Sequence, residues 1–376
     1  MRIEHVHFYV EDAKTWRNWF VNILGFEVVE NYILPSFPLN NTQKQEFHTL
    51  TEVVKSNSIC FVISSPLLPT SPVAEFLHHH PPGVADVALI IEDMEEVMMR
   101  VESYGTEVLQ PICEYQQNGI DFKSCQIKAW GSLAHTLIEI REIGNRGCGD
   151  VGILPLSALP CLDIPPSFPA SLPLLTSIDH VVLNVPTGDL EKAVAWYEKI
   201  LDLQPQQIFN IQTEFSALHS RVMTSRNGKV QLPINQPITP NSQIQEFLDF
   251  NQGAGIQHIA LRSPNLVNTI ANFRDRCLPF LSIPDAYYSQ LVKRPGFSLS
   301  NSEIKAIAQQ QILVDWKEQE PDALLLQIFT QPIFGKPTFF FEFIERRHLA
   351  QGFGEGNFRA LFEAIESEQM KRGSLH

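Results

Sequence analysis

At 376 residues the chain exceeds what one hydrophobic core usually organises, so two domains of roughly 150 to 200 residues each are expected. Apolar residues at 44% and charged residues at 19% give the balance of a globular protein, while 28 basic and 42 acidic side chains leave a net charge of -14. That charge repels nucleic-acid phosphates and anionic membrane surfaces, so neither is expected as a partner. The opening Met1-Arg2-Ile3-Glu4-His5 turns polar again at Glu11-Asp12, unlike a signal peptide, and no run approaches the roughly 18 apolar residues that span a bilayer. Cys60, Cys113, Cys125, Cys148, Cys161 and Cys277 are scattered without CxxC spacing, which reads as reduced thiols in a cytoplasmic protein.

Ile3-Glu4-His5-Val6 starts an apparent strand, and Trp19-Phe20 with Leu24-Gly25-Phe26 follows as a helix-like segment. Gly83-Val84-Ala85-Asp86-Val87-Ala88-Leu89 and Thr136-Leu137-Ile138-Glu139-Ile140-Arg141 read as further strands. Between Gly147 and Ser177 lie Pro155, Pro160, Pro165, Pro166, Pro169 and Pro173, so residues 147–177 are expected to link an N-terminal domain, 1–146, to a C-terminal domain, 178–376. After the linker the first half returns in outline. Ile178-Asp179-His180-Val181 matches the opening strand, and Trp196-Tyr197 with Leu201-Asp202-Leu203 matches the helix. Gly255-Ile256-Gln257-His258-Ile259-Ala260-Leu261 and Phe339-Phe340-Phe341-Glu342-Phe343-Ile344 match the later strands. Three matches in one order argue for duplication, and each half reads as paired βαβββ modules curled around a cavity. The expected fold is therefore α+β, in two homologous domains. A helix over Asn357 to Arg372, with Phe358, Leu361, Phe362 and Ile365 at i, i+3, i+4 and i+7, is placed to cap the cavity.

The repeat aligns His180, His258 and Glu342 of the second half with His5, Asp86 and Glu139 of the first. Two imidazoles and one carboxylate give a divalent ion two nitrogens, one oxygen and three open positions, the facial arrangement of non-haem Fe(II) oxygenases. The His-Asp-Glu set suits iron less well, so the first half is expected to be structural. Glu342 lies within an apolar run, where an unpaired carboxylate costs several kcal/mol by typical estimates, so a cation is expected beside it. The residues alone leave two choices for that cation: a metal ion, or Arg346 or Arg347 in an ordinary buried ion pair.

The second half resembles the 4-hydroxyphenylpyruvate dioxygenase family of the vicinal-oxygen-chelate fold. The likeness rests on Asp179-His180 with Trp196-Tyr197-Glu198-Lys199, Leu232-Pro233-Ile234-Asn235, Gly253-Ala254-Gly255-Ile256-Gln257-His258, Leu325-Leu326-Gln327-Ile328-Phe329, Phe340-Phe341-Glu342-Phe343-Ile344 and Gly352-Phe353-Gly354-Glu355-Gly356-Asn357-Phe358. It extends more weakly through the first half, at Asp86-Val87-Ala88 and Trp130 with His135-Thr136. The resemblance implies one Fe(II) per chain on His180, His258 and Glu342, with 4-hydroxyphenylpyruvate and O2 as substrates. Decarboxylation and ring hydroxylation with side-chain migration then give homogentisate and CO2, serving tyrosine breakdown or quinone and tocopherol supply. It also implies that Ser220, Asn235, Gln243, Gln257 and Gln327 orient the substrate, and that Pro233, Phe329, Phe340, Phe353, Asn357 and Phe358 wall the pocket. Strand alternation puts Gln327 with Phe329 and Phe340 with Glu342 on shared faces, whereas Gln257 adjoins His258 and needs a twist or bulge to join it.

Where family members commonly read Asn-Glu-Pro, this chain has Asn235-Gln236-Pro237, so any ion pair made by that glutamate is lost. The Gly352 to Gly356 segment lacks the context of a phosphate cradle and is expected to be a flexible lead-in to the capping helix. His78-His79-His80 is expected on an exposed loop. Three rival functions share this fold: a hydroxymandelate synthase using the same substrate, an extradiol dioxygenase, and a non-catalytic ligand-binding protein. The extradiol reading needs an additional histidine in the pocket, for which His219 is the candidate, but beside an inward Ser220 it is expected to face away. Assembly into a homo-oligomer is left open.

Overall fold

The computed structural model describes residues 1–30, 48–117, 120–142, 174–213 and 216–373. The first module contains β1 (Arg2–Tyr9), α1 (Ala13–Trp19), β2 (Glu27–Val28), β3 (Thr49–Ser56) and β4 (Ile59–Pro66). Helix α2 (Pro72–His79) leads to β5 (Gly83–Ile91), α3 (Met94–Ser103), β6 (Val108–Gln117), β7 (Ile120–Lys128) and β8 (Ala134–Glu142). The second half repeats the plan with β9 (Ser177–Asn184), α4 (Leu190–Leu201), β10 (Gln204–Gln212), β11 (Ala217–Thr224) and β12 (Gln231–Pro237). After α5 (Gln243–Asn251) come β13 (Gly255–Arg262), α6 (Leu266–Asp275), α7 (Asp285–Leu291), α8 (Asn301–Gln309), β14 (Leu313–Lys317), β15 (Glu320–Phe329), β16 (Phe340–Arg346) and α9 (Phe358–Arg372). The six linker prolines all lie outside the described residues.

Each half forms one eight-stranded sheet, in the orders β2-β3-β4-β1-β5-β8-β7-β6 and β10-β11-β12-β9-β13-β16-β15-β14. This is the expected pair of vicinal-oxygen-chelate domains. Local chemistry sets the helix starts: Asp12, Asp93, Ser242 and Asn265 each accept backbone N–H groups of the first turn they precede, and Ser300 forms a capping box with Glu303. Helix α4 turns Leu190, Ala193, Val194, Tyr197, Ile200 and Leu201 inward, the helical spacing of a stripe laid on a sheet.

Alternation along β16 divides the molecule. Phe339, just before it, and Phe341 pack against the N-terminal half, with ring centroids 5.2 Å from Phe8 and 5.9 Å from Phe61, while Phe340 and Glu342 face a cavity inside the C-terminal sheet. Burying a ring of this size contributes roughly 1.5–3 kcal/mol, so the odd-numbered phenylalanines help join the halves and leave the other face for chemistry.

Pairing also corrects the internal alignment. His258 stands opposite Phe340 and Ala260 opposite Glu342, whereas Asp86 stands opposite Ala134 and Leu89 opposite Leu137. Glu342 therefore corresponds to Thr136, and Glu139 corresponds to Glu345. The last two have one job: Glu139 accepts the N–H of Met94 at 2.6 Å and Glu345 that of Leu266 at 2.7 Å, each at the first residue of the helix after the central strand. The first half's version of the triad is thus His5, Asp86 and Thr136.

Both halves carry two bulges at equivalent places. The β1–β5 pairing skips Glu4 and Ala85, and the β9–β13 pairing skips Asp179 and Gln257. A bulge sets two residues against one and re-aims the side chains around it.

Candidate metal centre and its chamber

The bulge at Asp179 lets consecutive residues of β9 cooperate. His180 Nδ1 donates to Asp179 Oδ1 at 3.0 Å, which leaves Nε2 aimed into the cavity. Asp179 is in turn held by Arg346 at 2.7 and 2.8 Å and by Arg262 at 2.5 and 3.1 Å. Burial alone pushes this carboxyl upward, but the bonds from Arg346 and His180 hold it well below the usual carboxylate range. Arg346 is therefore engaged away from Glu342, and Arg347 pairs with Glu345 and Glu303. The ion-pair alternative for Glu342 loses both its candidates.

What faces Glu342 is the pair of imidazoles. Its Oε2 lies 3.1 Å from His180 Nε2 and 3.7 Å from His258 Nε2, and the ligand atoms of the three side chains all lie within 4.8 Å of one another. Glu342 Oε1 is occupied instead by the amide N–H of Gln327 at 2.8 Å. Burial lowers the His180 pKa, but Glu342 and Asp179 outweigh it and carry it up to about 9. His258 is depressed well below the ordinary histidine value, first by burial and then by repulsion from His180. Metal-free, the site thus holds a proton where two nitrogens and a carboxylate oxygen converge, and a divalent cation that displaces it meets a donor set suited to it.

These three residues open onto a cavity walled largely by apolar and aromatic side chains. Its walls come from seven strands of one sheet, which a sheet achieves only by curling on itself, and from the start of α5, Phe353 and α9. Ser220, Pro233, Asn235, Gln243, Gln257, Gln327, Phe329, Phe340, Phe353 and Phe358 all line it. Gln257 does so beside His258 because it is itself the bulged residue of β13. Asn357 stands elsewhere: buried behind the wall, it donates to Gln327 Oε1 at 2.9 Å. Sequence reasoning left out Val182, Phe209, Ile211, Leu218 and Ile244, which complete the apolar lining. Phe209 was within reach of strand alternation, since it is paired with Ser220 across β10 and β11. The helix predicted from Leu361, Phe362 and Ile365 is α9, and all three close the chamber.

Of the remaining histidines, His219 pairs outward with Asn210 and leaves Ser220 to the chamber. His78 and His79 lie in the last turn of α2 rather than on a loop, and among the described residues they join no metal-ligating group. Gln236 accepts the N–H groups of Gly188 at 2.7 Å and Leu190 at 3.2 Å, so the departure at this position concerns the start of α4 and not the chamber. No helix among the described residues is long and apolar enough to cross a membrane.

Residues 177–293 match the Glyoxalase/Bleomycin resistance protein/Dioxygenase superfamily. Along 386 residues the chain is 36% identical to 4-hydroxyphenylpyruvate dioxygenase of Caenorhabditis briggsae, covering 99% of this chain and 93% of the relative. It is 35% identical to the enzyme of that name from Coccidioides posadasii, covering 99% and 94%. Among solved structures, a mutant of 4-hydroxymandelate synthase from Streptomyces coelicolor superposes with a TM-score of 0.78 at 25% identity, covering 98% of each chain. Sequence agreement at this level over nearly the full length, on the fold and the converging side chains just described, means that the chain belongs to the 4-hydroxyphenylpyruvate dioxygenase family.

Proposed function

We propose that this chain converts 4-hydroxyphenylpyruvate and O2 to homogentisate and CO2, with one ferrous ion per chain held by His180, His258 and Glu342. The observation that carries the reading is the convergence of a buried imidazole, a half-buried imidazole and a buried carboxylate, without an arginine, on the floor of an aromatic chamber. A ferrous ion bound there would supply oxygen activation and a chelation point for the 2-oxo acid side chain. The rest falls to the protein. Phe340 lies 6.3 Å from Phe329, and His180 lies 5.1 Å from Phe353, so the ring of a phenol substrate has aromatic walls close to the ligands. These walls, with Phe358 and the apolar face of α9, exclude water from the reacting centre. The Ser220 hydroxyl and the amides of Asn235, Gln243 and Gln257 offer the hydrogen bonds that orient the substrate's polar ends.

The substrate's own decarboxylation supplies two electrons, so no second 2-oxo acid and no nicotinamide is required. The N-terminal half, over 1–146, serves as structure in this reading. Cys113, Cys125 and Cys277 are free thiols, which supports a cytoplasmic setting. The test is product analysis with the Fe(II) protein: homogentisate and CO2 formed in equal amounts, with matching oxygen uptake. The Streptomyces coelicolor likeness favours one competing reading, a mandelate product from the same substrate. Pro233-Ile234-Asn235 and the chamber glutamines favour ring hydroxylation, and recovery of 4-hydroxymandelate in place of homogentisate reverses that choice.

A further inference from the structure

The segment from Gly352 to Asn357, a glycine-rich lead-in to α9, has a built seat. Gly354 has φ of 82° and packs so closely on Gln327 that a Cβ there would come within 1.9 Å of Gln327 Oε1. Gly356 donates its N–H to Asp315 Oδ2 at 3.0 Å, and a Cβ on it would come within 2.5 Å of Arg294. The positive φ and the close contact together favour glycine at Gly354, while at Gly356 a Cβ would have to displace the ends of the Asp315 and Arg294 side chains. Arg294 holds Asp315 at 2.6 Å and also bonds the Trp316 carbonyl, so the seat is fixed from behind.

From this seat a chain of hydrogen bonds runs to the candidate metal centre. The Val314 N–H donates to the Tyr287 hydroxyl at 2.8 Å, and that hydroxyl has two acceptors within reach, Asn357 Oδ1 at 2.8 Å and the Val314 carbonyl at 3.1 Å. Asn357 Nδ2 donates to Gln327 Oε1 at 2.9 Å, and Gln327 Nε2 donates to Glu342 Oε1 at 2.8 Å and to the Phe353 carbonyl at 3.0 Å. The two ends set the polarity. A backbone N–H only donates and Glu342 Oε1 accepts from Gln327, so the two amides between them have a single satisfied orientation, in which Asn357 Oδ1 is left to accept from Tyr287 rather than the hydroxyl turning to the Val314 carbonyl. With the Tyr287 proton directed at Asn357, both amides are locked, and a flipped Gln327 would press its carbonyl oxygen against the carboxylate.

We propose that Tyr287, on α7 outside the chamber, is a positioning residue: through Asn357 and Gln327 it keeps Glu342 Oε1 engaged, so that the carboxylate presents Oε2 alone to the metal, and it ties this state to the seated lead-in of α9. The inference rests on the metal reading above. Closing the chamber and setting the ligand atom are then one event, because Asn357 and the Phe353 carbonyl belong to the segment that carries the cap.

The experiment compares the full-length metal-free protein with Tyr287→Phe and with Tyr288→Phe, using Co(II) as probe. Tyr288 is the control, since its hydroxyl also bonds a backbone carbonyl, that of Ile312 at 3.1 Å, but has no bond to Asn357 or Gln327. Y287F should weaken Co(II) binding about five- to tenfold, at the low end of what outer ligand partners contribute, shift the visible Co(II) bands, and speed hydrogen exchange of the α9 amides. Y288F should lower thermal stability while leaving all three readouts at their wild-type values. Asn357→Ala cuts the same chain one link nearer the metal and should move the readouts at least as far, which keeps the test decisive if Y287F folds poorly. Unchanged affinity, spectrum and exchange in Y287F and N357A, or the same shifts in Y288F, overturn the proposal while the metal reading stands. A wild-type protein that binds no Co(II) overturns both.

Discussion

The two halves share a sheet order, a pair of bulges and a carboxylate–histidine pair at the first bulge, yet their centres have opposite characters. In the C-terminal half, His258 and Glu342 leave donor atoms facing a cavity. In the N-terminal half the same positions are Asp86 and Thr136, and they bond each other: Asp86 accepts the Thr136 N–H at 2.8 Å, the Thr136 hydroxyl, and the Gln126 amide at 3.0 Å. Burial works to lower the His5 pKa, but Glu4 and Asp86 outweigh it and raise it above its ordinary value, so there a proton does the neutralising that a metal is suited to do in the other half. The bulges that aim these residues are therefore properties of the scaffold. Whether a site is open to an ion depends on two side chains per copy.

That contrast breaks most visibly at His258. Replacing it with Ala should reduce both metal retention and substrate-dependent oxygen uptake to background, measured by metal analysis and an oxygen electrode, because two donors no longer define a facial site. A pure ligand-binding protein would keep its affinity for the 2-oxo acid in that variant. The next effect is a pH dependence. With His180 carried up to about 9 in the metal-free protein, an incoming ion must displace its proton. Apparent Co(II) affinity should therefore rise roughly tenfold per pH unit between about pH 6 and 8 and level off only above the raised pKa. His258, depressed, is already neutral in that range and releases nothing. Calorimetry in buffers of different ionisation enthalpy counts the protons released, and a count near zero contradicts the raised His180.

The triad was legible because duplication and strand alternation operate on the sequence directly: His180, His258 and Glu342 each sit in an apolar stretch with a counterpart in the other half. The register within the last strand was not. Glu342 and Glu345 lie three residues apart on β16, the flanking apolar residues look alike in either alignment, and only pairing with β13 distinguishes them. Gln257 shows the same limit. A bulge depends on what the partner strand does, and alternation on one strand gives the wrong face for it. Asp179 was visible as a neighbour of His180, but its grip on Arg346 and Arg262 spans well over a hundred residues of fold in one case and eighty in the other. That grip is why the sequence misleads about Glu342, whose apparent cation in the chain is already engaged.

Asp179 sharpens the comparison at intermediate size, since both halves keep an acid at this bulge but only one half has a ligand to orient through it. Asp179→Asn should weaken Co(II) binding roughly ten- to hundredfold, the usual range for a group that orients a ligating histidine. It should also lower stability, because Arg346 is buried and loses its charged partner. The two effects separate in measurement: the metal-free protein should already melt earlier, and its metal-induced rise in melting temperature should shrink as well.

The smallest effect is expected at Asp86, the position in the N-terminal half that corresponds to His258. Asparagine there keeps an acceptor for the Thr136 N–H but turns an amide donor toward the Gln126 amide, itself a donor, and removes the charge that helps keep His5 protonated. An unmatched buried polar group costs about 1–3 kcal/mol, so Asp86→Asn should unfold at measurably lower denaturant concentration. Turnover per folded molecule should stay within about twofold of wild type, the magnitude of a substitution with no contact to the reacting atoms and only distant coupling to them. Metal stoichiometry should not change. A loss of turnover comparable to that of Asp179→Asn would mean that the N-terminal centre reaches the chemistry, and the division of labour between the halves would have to be drawn elsewhere.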